Sequence, residues 1–239
     1  VAKASIVIAE MASIETDPDD LDFFERESIQ RATVEKARRE RKASYAFARD
    51  VLSRRYSIPR RDLKIQRTDL GKPALSIGGK TAHYSISHSA GLIAIAVSDD
   101  CQLGLDLQIK APFNPSIFAR ILTDKENLQA ANMSLLVSAN SASEDFFFVM
   151  WTLKEAALKC IGTGFAVPMR AMDCFPIAHQ PTFKTVDIQI AESETPAAHR
   201  HHATKQLYGR RIDAGNEYVA HLVWAREYGE LEVELTTLR

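Results

Sequence analysis

Phe146-Phe147-Phe148-Val149-Met150-Trp151-Thr152-Leu153-Lys154-Glu155-Ala156-Ala157-Leu158-Lys159 is apolar at most positions, yet it carries Lys154, Glu155 and Lys159. A helix that is apolar nearly all round belongs in a protein interior. Trp151, Glu155 and Lys159 stand at i, i+4 and i+8 and so share one face. Charges in an interior are costly unless they pair with each other, with a metal or with a charged ligand. The plain alternative is a solvated Glu155–Lys159 pair, worth about 0.2–0.5 kcal/mol.

Upstream, Leu92-Ile93-Ala94-Ile95-Ala96-Val97 is a short apolar run that predicts a buried strand. Ser98-Asp99-Asp100 signals a turn. Leu103-Gly104-Leu105-Asp106-Leu107-Gln108 then alternates with period two, placing the leucines on one face and Gly104, Asp106 and Gln108 on the other. An acid and an amide two residues apart, beside a glycine that permits close approach, suit a hard cation. An edge strand with its polar face in water is the alternative.

The rest of the chain predicts an α+β protein. A strand near residues 5–11 leads through the acidic Asp17-Pro18-Asp19-Asp20 to a long basic helix from Phe24 to Tyr56, ended by Pro59. Leu63 starts a strand, Gly71-Lys72-Pro73 is a turn, and 83–88 and 92–97 pair about Ser89-Ala90-Gly91. Helical text runs from Pro115 to Ala131, and Ser138 to Asp145 is a Ser/Ala-rich connection. The apolar helix ends at Gly162-Thr163-Gly164. Strands then follow at 183–190, 205–212 and 218–225.

The 239 residues suffice for one large domain or two small ones. A net charge of -1 gives no global positive field for nucleic acid. No apolar run approaches the ~18 residues that span a bilayer, and the N-terminus reads as a strand, not a signal peptide. Cys101, Cys160 and Cys174 are odd in number and lack CxxC spacing, as reduced core thiols of a cytoplasmic protein would. Gly162-x-Gly164 follows a helix and so is no dinucleotide fingerprint. His199, His201 and His202 lack zinc-site spacing.

Gly71-Lys72-Pro73, Tyr84-Ser85-Ile86-Ser87-His88-Ser89, Gly104-Leu105-Asp106-Leu107-Gln108 and Trp151 to Lys159 occur in that order. Their order and spacing resemble the 4′-phosphopantetheinyl transferases of the long, single-chain branch. The resemblance covers about residues 30–170, and Trp-x-x-Lys-Glu-Ala-x-x-Lys is its most specific part.

The resemblance implies transfer of the phosphopantetheine arm of coenzyme A to a serine of an apo acyl or peptidyl carrier protein, releasing 3′,5′-ADP with help from Mg2+. It implies a pseudo-dimer of two similar halves, each an antiparallel sheet packed with a long helix, here 1–104 and 105–239, with the site at their interface. Asp106 and Glu155 match the metal carboxylates, Glu155 also the base, and Lys159 the lysine on the pyrophosphate. Ser87, His88 and Lys72 match contacts to the nucleotide, His88 at the 3′-phosphate. Arg41 falls near the N-terminal phosphate contacts, and Lys154 is a further phosphate or structural contact. A monomer suffices for such a site.

One position departs. The family often reads Gly-Ile-Asp-Ile-Glu, whose final Glu is a third metal ligand, and this chain has Gln108 there. An amide oxygen can still ligate, without charge, so weaker metal affinity is expected. The departure leaves two other readings: a catalytically weakened carrier-protein-binding module, and a Mg2+-dependent hydrolase of nucleotide pyrophosphates.

Overall fold

A computed structural model describes the chain except residues 113–114, 129–130, 132–140, 175–185, 192–194, 203–205 and 239. The strands are β1 (Ala2–Glu10), β2 (Ile65–Arg67), β3 (Pro73–Ile77), β4 (Lys80–Ser89), β5 (Leu92–Ser98), β6 (Leu103–Ile109), β7 (Met172–Asp173), β8 (Val186–Ile190), β9 (Leu207–Ile212), β10 (Tyr218–Ala225) and β11 (Leu231–Thr237). The main helices are α1 (Phe23–Gln30), α2 (Glu35–Tyr56) and α3 (Ser141–Ile161).

Two sheets form, ordered β11-β1-β5-β4-β3-β2 and β6-β10-β9-β8-β7. Leaving β11 aside, both read first strand, fifth, fourth, third, second, and all those pairings are antiparallel. In each sheet a long helix, α2 or α3, enters between the first and second strands. The α+β class and its two similar halves are thus present in the topology. A boundary after residue 104 falls inside β6, and β11 returns from the chain's end to lie parallel to β1.

Three cores follow from the alternation. Leu103, Leu105 and Leu107 of β6 pack with Ala4, Ile6 and Ile8 of β1 and Leu222 and Trp224 of β10, between the sheets. Phe47, Val51 and Leu52 of α2 cover the outer face of the first sheet with Ile93, Ile95 and Val97 of β5. Met150, Leu153, Ala157 and Ile161 of α3 cover the second sheet with Ile188 and Val223. The layers therefore run helix, sheet, sheet, helix. At the β4–β5 hairpin, Ala90 and Gly91 both have positive φ (46 and 87), the two-residue geometry whose twist matches antiparallel strands.

Several expectations change. The single helix from Phe24 to Tyr56 is two: Asp22 and Glu25 form a capping box that starts α1, and extended Val34 precedes α2. The 115–131 stretch breaks into a turn at Pro115–Ile117, one helical turn at Phe118–Ile121 and helical residues 124–128. Ser141 onward belongs to α3, not to a connection. Residues 183 and 205, expected to open strands, lie outside the described residues. All three cysteines are buried, and none forms a disulfide among the described residues.

Candidate active site between the two halves

The halves meet where β4 of the first sheet runs beside β6, the edge strand of the second. Ser85, Ser87 and Ser89 alternate along β4, so their side chains share one face. Their hydroxyls accept the backbone N–H groups of Leu105 (3.0 Å), Leu107 (3.1 Å) and Ile109 (3.0 Å). A serine ladder thus satisfies buried backbone donors of β6 that no neighbouring strand takes.

The face of β6 opposite its leucines meets α3. A Cβ at Gly104 would stand 2.0 Å from the carbonyl oxygen of Ala156, so only glycine lets strand and helix approach this closely. Along α3 the positions Trp151, Glu155 and Lys159 are half-buried while every residue between them is buried. The i, i+4, i+8 stripe is therefore the part of the helix that faces open space. Asp106, two residues past Gly104, is directed to the same side. Gln108 follows on that face, half-buried.

Asp106 is 5% exposed. Its Oδ1 accepts from Ser87 Oγ (2.8 Å) and from Lys159 Nζ (2.7 Å). Its Oδ2 is buried and has no hydrogen-bond partner among the described residues. Lys159 Nζ also donates to the carbonyls of Leu105 (3.1 Å) and Ile86 (3.4 Å), tying helix, β6 and β4 together. Burial, and then the negative charge of Asp106, push the Glu155 carboxyl up to about 7, with Lys159 opposing the shift. A buried carboxylate oxygen left open beside a second carboxyl that resists ionisation calls for a cation. Asp106, Glu155 and the Gln108 amide offer oxygen donors, the set a hard divalent ion takes. The donor set holds only two acids; among the described residues no group of three or more His, Cys, Asp and Glu converges.

A cavity of about 460 Å³ opens beside this cluster. Arg41, Lys72, His88 and Lys159 line it, with Phe24, Tyr45, Leu70 and Tyr84 supplying aromatic and apolar walls. Burial lowers the pKa of His88, reinforced by the charges of Lys159 and Lys36 and opposed by Glu40 and Asp106, so the ring is neutral near pH 7. Arg41 donates to the Ser28 carbonyl (2.6 Å), which braces α1 against α2 at the cavity's edge.

Lys72 and Ser87 are differently engaged than a purely nucleotide-binding role requires. Lys72 Nζ donates to the carbonyls of Lys159 (2.7 Å), Cys160 (2.5 Å) and Leu103 (3.0 Å), at the negative end of α3. Its stem lies against Gly162, where an added Cβ would come within 2.9 Å of Lys72 Cδ. Ser87 is buried, and its hydroxyl is used by Asp106 and Leu107.

Lys154, expected as a phosphate or structural contact, is engaged structurally. It is fully buried, pairs with Glu126 and donates to the Ile121 carbonyl (2.7 Å), away from the cavity lining. One residue from Glu155 is a rotation of about 100° around the helix, which turns Lys154 into the core that α3 shares with the second sheet, where a charge needs a dedicated partner.

The sequence profile of the 4′-phosphopantetheinyl transferase superfamily matches residues 102–223, half of the chain. This protein belongs to the 4′-phosphopantetheinyl transferase superfamily. Among curated relatives, the 4′-phosphopantetheinyl transferase Sfp of Bacillus subtilis is 28% identical over 151 residues, 63% of this chain and 62% of that protein. The L-aminoadipate-semialdehyde dehydrogenase-phosphopantetheinyl transferase of Xenopus laevis is 28% identical over 146 residues, covering 56% of this chain and 48% of its own. The 4′-phosphopantetheinyl transferase gsp of Aneurinibacillus migulanus is 25% identical over 127 residues, 51% and 50%. The chain thus spans about half to six tenths of the length of these relatives. No described helix of this superfamily member is long and apolar enough to cross a membrane.

Sequence reasoning missed Glu126 and His221. Thr123-x-x-Glu126 is a capping box, with Thr123 N–H donating to Glu126 (2.8 Å), and that spacing was available as a signal. His221 stands directly opposite Asp106 on β10, and its Nδ1 lies 2.7 Å from Thr152 Oγ1 of α3. Burial, then Arg211, lower its pKa to about 3, so it is a neutral link between sheet and helix. Nothing local distinguishes it from any other strand histidine.

Proposed function

We propose that this protein transfers the 4′-phosphopantetheine arm of coenzyme A to a serine of an apo acyl or peptidyl carrier protein, with Mg2+, as a single-chain pseudo-dimeric enzyme. The observation that carries the reading is the buried, unpartnered Oδ2 of Asp106, whose Oδ1 accepts from Lys159, a residue that lines a cavity with cationic and aromatic walls. The relatives' names support the same chemistry.

In the reaction the serine oxygen attacks the phosphorus that bears the pantetheine arm. A new P–O bond forms, the pyrophosphate bridge breaks, and its electrons leave with 3′,5′-ADP. Glu155, with its pKa near 7, takes the serine proton at neutral pH. Lys159, which lines the cavity, donates to phosphate oxygens as charge moves to the leaving group. Arg41 and His88 bind the nucleotide's phosphates, and an incoming phosphate dianion favours the protonated form of the His88 ring. Asp106, Glu155 and Gln108 would hold Mg2+, which when bound neutralises the pyrophosphate. Both halves of the site come from one chain, so a monomer is sufficient.

Intact mass of an apo carrier protein, incubated with this protein, coenzyme A and Mg2+, tests the reading. An increase of one phosphopantetheine supports it. Coenzyme A consumed with an unchanged carrier points to a pyrophosphate hydrolase, and carrier binding without either change points to a binding module.

A further inference from the structure

Ser87 differs from its neighbours in the serine ladder. Ser85, Ser87 and Ser89 each accept one backbone N–H from β6. Among the described residues Ser87 alone of the three makes a second bond, donating its hydroxyl proton to Asp106 Oδ1 at 2.8 Å. Leu107 N–H, held at 3.1 Å, fixes the hydroxyl rotor and aims that proton. Lys159 takes the same Oδ1 at 2.7 Å. Both donors therefore crowd one oxygen of the carboxylate and leave Oδ2 bare although buried.

We propose that Ser87 is a positioning residue that orients Asp106, so that Oδ2 is the oxygen presented to a divalent cation. The proposal deepens the metal-dependent transferase reading, and it concerns a residue expected from the sequence to touch nucleotide phosphate. Two facts weigh against that contact. Ser87 is 6% exposed, and it is absent from the cavity lining that His88 and Lys159 share. Its one hydroxyl proton is spent on the carboxylate, so a phosphate oxygen would have to displace Asp106 to receive it. Without the Ser87 hydroxyl, Oδ1 keeps only Lys159, on a flexible four-carbon stem, so the carboxylate turns more readily about its Cβ–Cγ bond and the cation meets a less firmly fixed ligand.

The ladder supplies its own controls. Ser85→Ala and Ser89→Ala remove one backbone acceptor each; Ser87→Ala removes the same acceptor and also the carboxylate donor. Mn2+ binding is measured by electron paramagnetic resonance titration of the full chain with saturating coenzyme A and no carrier protein, so no turnover is needed. Removing a group that orients a metal ligand commonly weakens binding about tenfold to a hundredfold, so Ser87→Ala should raise the Mn2+ Kd by about tenfold or more, with Ser85→Ala and Ser89→Ala within about twofold of the unaltered chain. Ser87→Thr, which keeps the hydroxyl, should restore binding. Ser87→Cys, of similar size but a weaker donor, gives the same comparison if the alanine variant does not fold. Repeating the titration with 3′-dephospho-coenzyme A should give the same loss. Equal Mn2+ affinity for all three alanine variants, a loss seen only with the 3′-phosphate present, or no Mn2+ binding by the unaltered chain would overturn the proposal. Failure of the transferase reading is separate: it shows as an unmodified carrier with the unaltered protein.

Discussion

Two lysine–carboxylate pairs hang on the same helix, five residues apart, and they end differently. Lys154 and Glu126 are sealed: both are buried, and Glu126 also accepts from Thr123 N–H and Cys174 N–H. Lys159 and Asp106 are open: Asp106 keeps one bare oxygen and Lys159 borders a cavity. The first half repeats the sealed kind on α2, where Arg49 is buried against Glu25, Asp22 and the Arg60 carbonyl. Buried charge alone therefore says little about function. What sets the Asp106 pair apart is a buried carboxylate oxygen left without a partner among the described residues, on a pair whose lysine lines a cavity.

Breaking the sealed pair should have the largest effect, and on stability. Glu126→Ala strands a fully buried ammonium, and removing one partner of a buried pair costs about 3–5 kcal/mol. Denaturant unfolding should show that loss, with the fraction still folded transferring at the native rate. A fall in specific turnover larger than the fall in folded fraction would mean that the two pairs are coupled through α3.

Glu155→Gln should act the other way, sparing the fold. Turnover should drop by about a hundredfold or more, the usual scale for loss of a general base. The same variant has a stability signature without metal. Glu155 titrates near 7 in the folded chain and near 4.5 when unfolded, so between these values the folded state holds the extra proton and stability falls as pH rises. Thermal melting across that window should show a slope in the native protein that is reduced in Glu155→Gln. An unchanged slope would remove the desolvated environment assigned to Glu155.

Gln108→Glu should have the mildest effect: retained transfer, with a lower Mg2+ concentration for half-maximal rate, since a charged donor replaces a neutral one. Unaltered Mg2+ dependence would take Gln108 off the ligand set.

Much of the open pair was legible in the sequence, because its signals are local. Period-two alternation put Gly104, Asp106 and Gln108 on one strand face, and the i+4 spacing put Glu155 and Lys159 on one helix face. The thing expected to approach Gly104 is α3 itself. The sealed pair was not legible: Glu126 lies 28 residues from Lys154, and no periodicity announces which lysine of a buried helix will find it. Lys72 escaped for the same reason, since its carbonyl partners lie up to 88 residues away. So did β11, whose Leu231 and Val233 alternate correctly but whose place beside β1 depends on a parallel pairing across nearly the whole chain. Ser85, Ser87 and Ser89 were visible as a motif, yet their bonds to β6 exist only once the two halves dock.

Under the proposed function, Asp106 is held for chemistry and not for stability. Asp106→Asn, the nearly isosteric amide, puts both on one sample: its thermal melt beside its Mg2+-dependent modification of an apo carrier protein by intact mass. A melt close to the native one, with carrier modification lost at every Mg2+ concentration, is the predicted result. A variant that modifies the carrier at near-native rate, or that loses its fold as Glu126→Ala should, would contradict it.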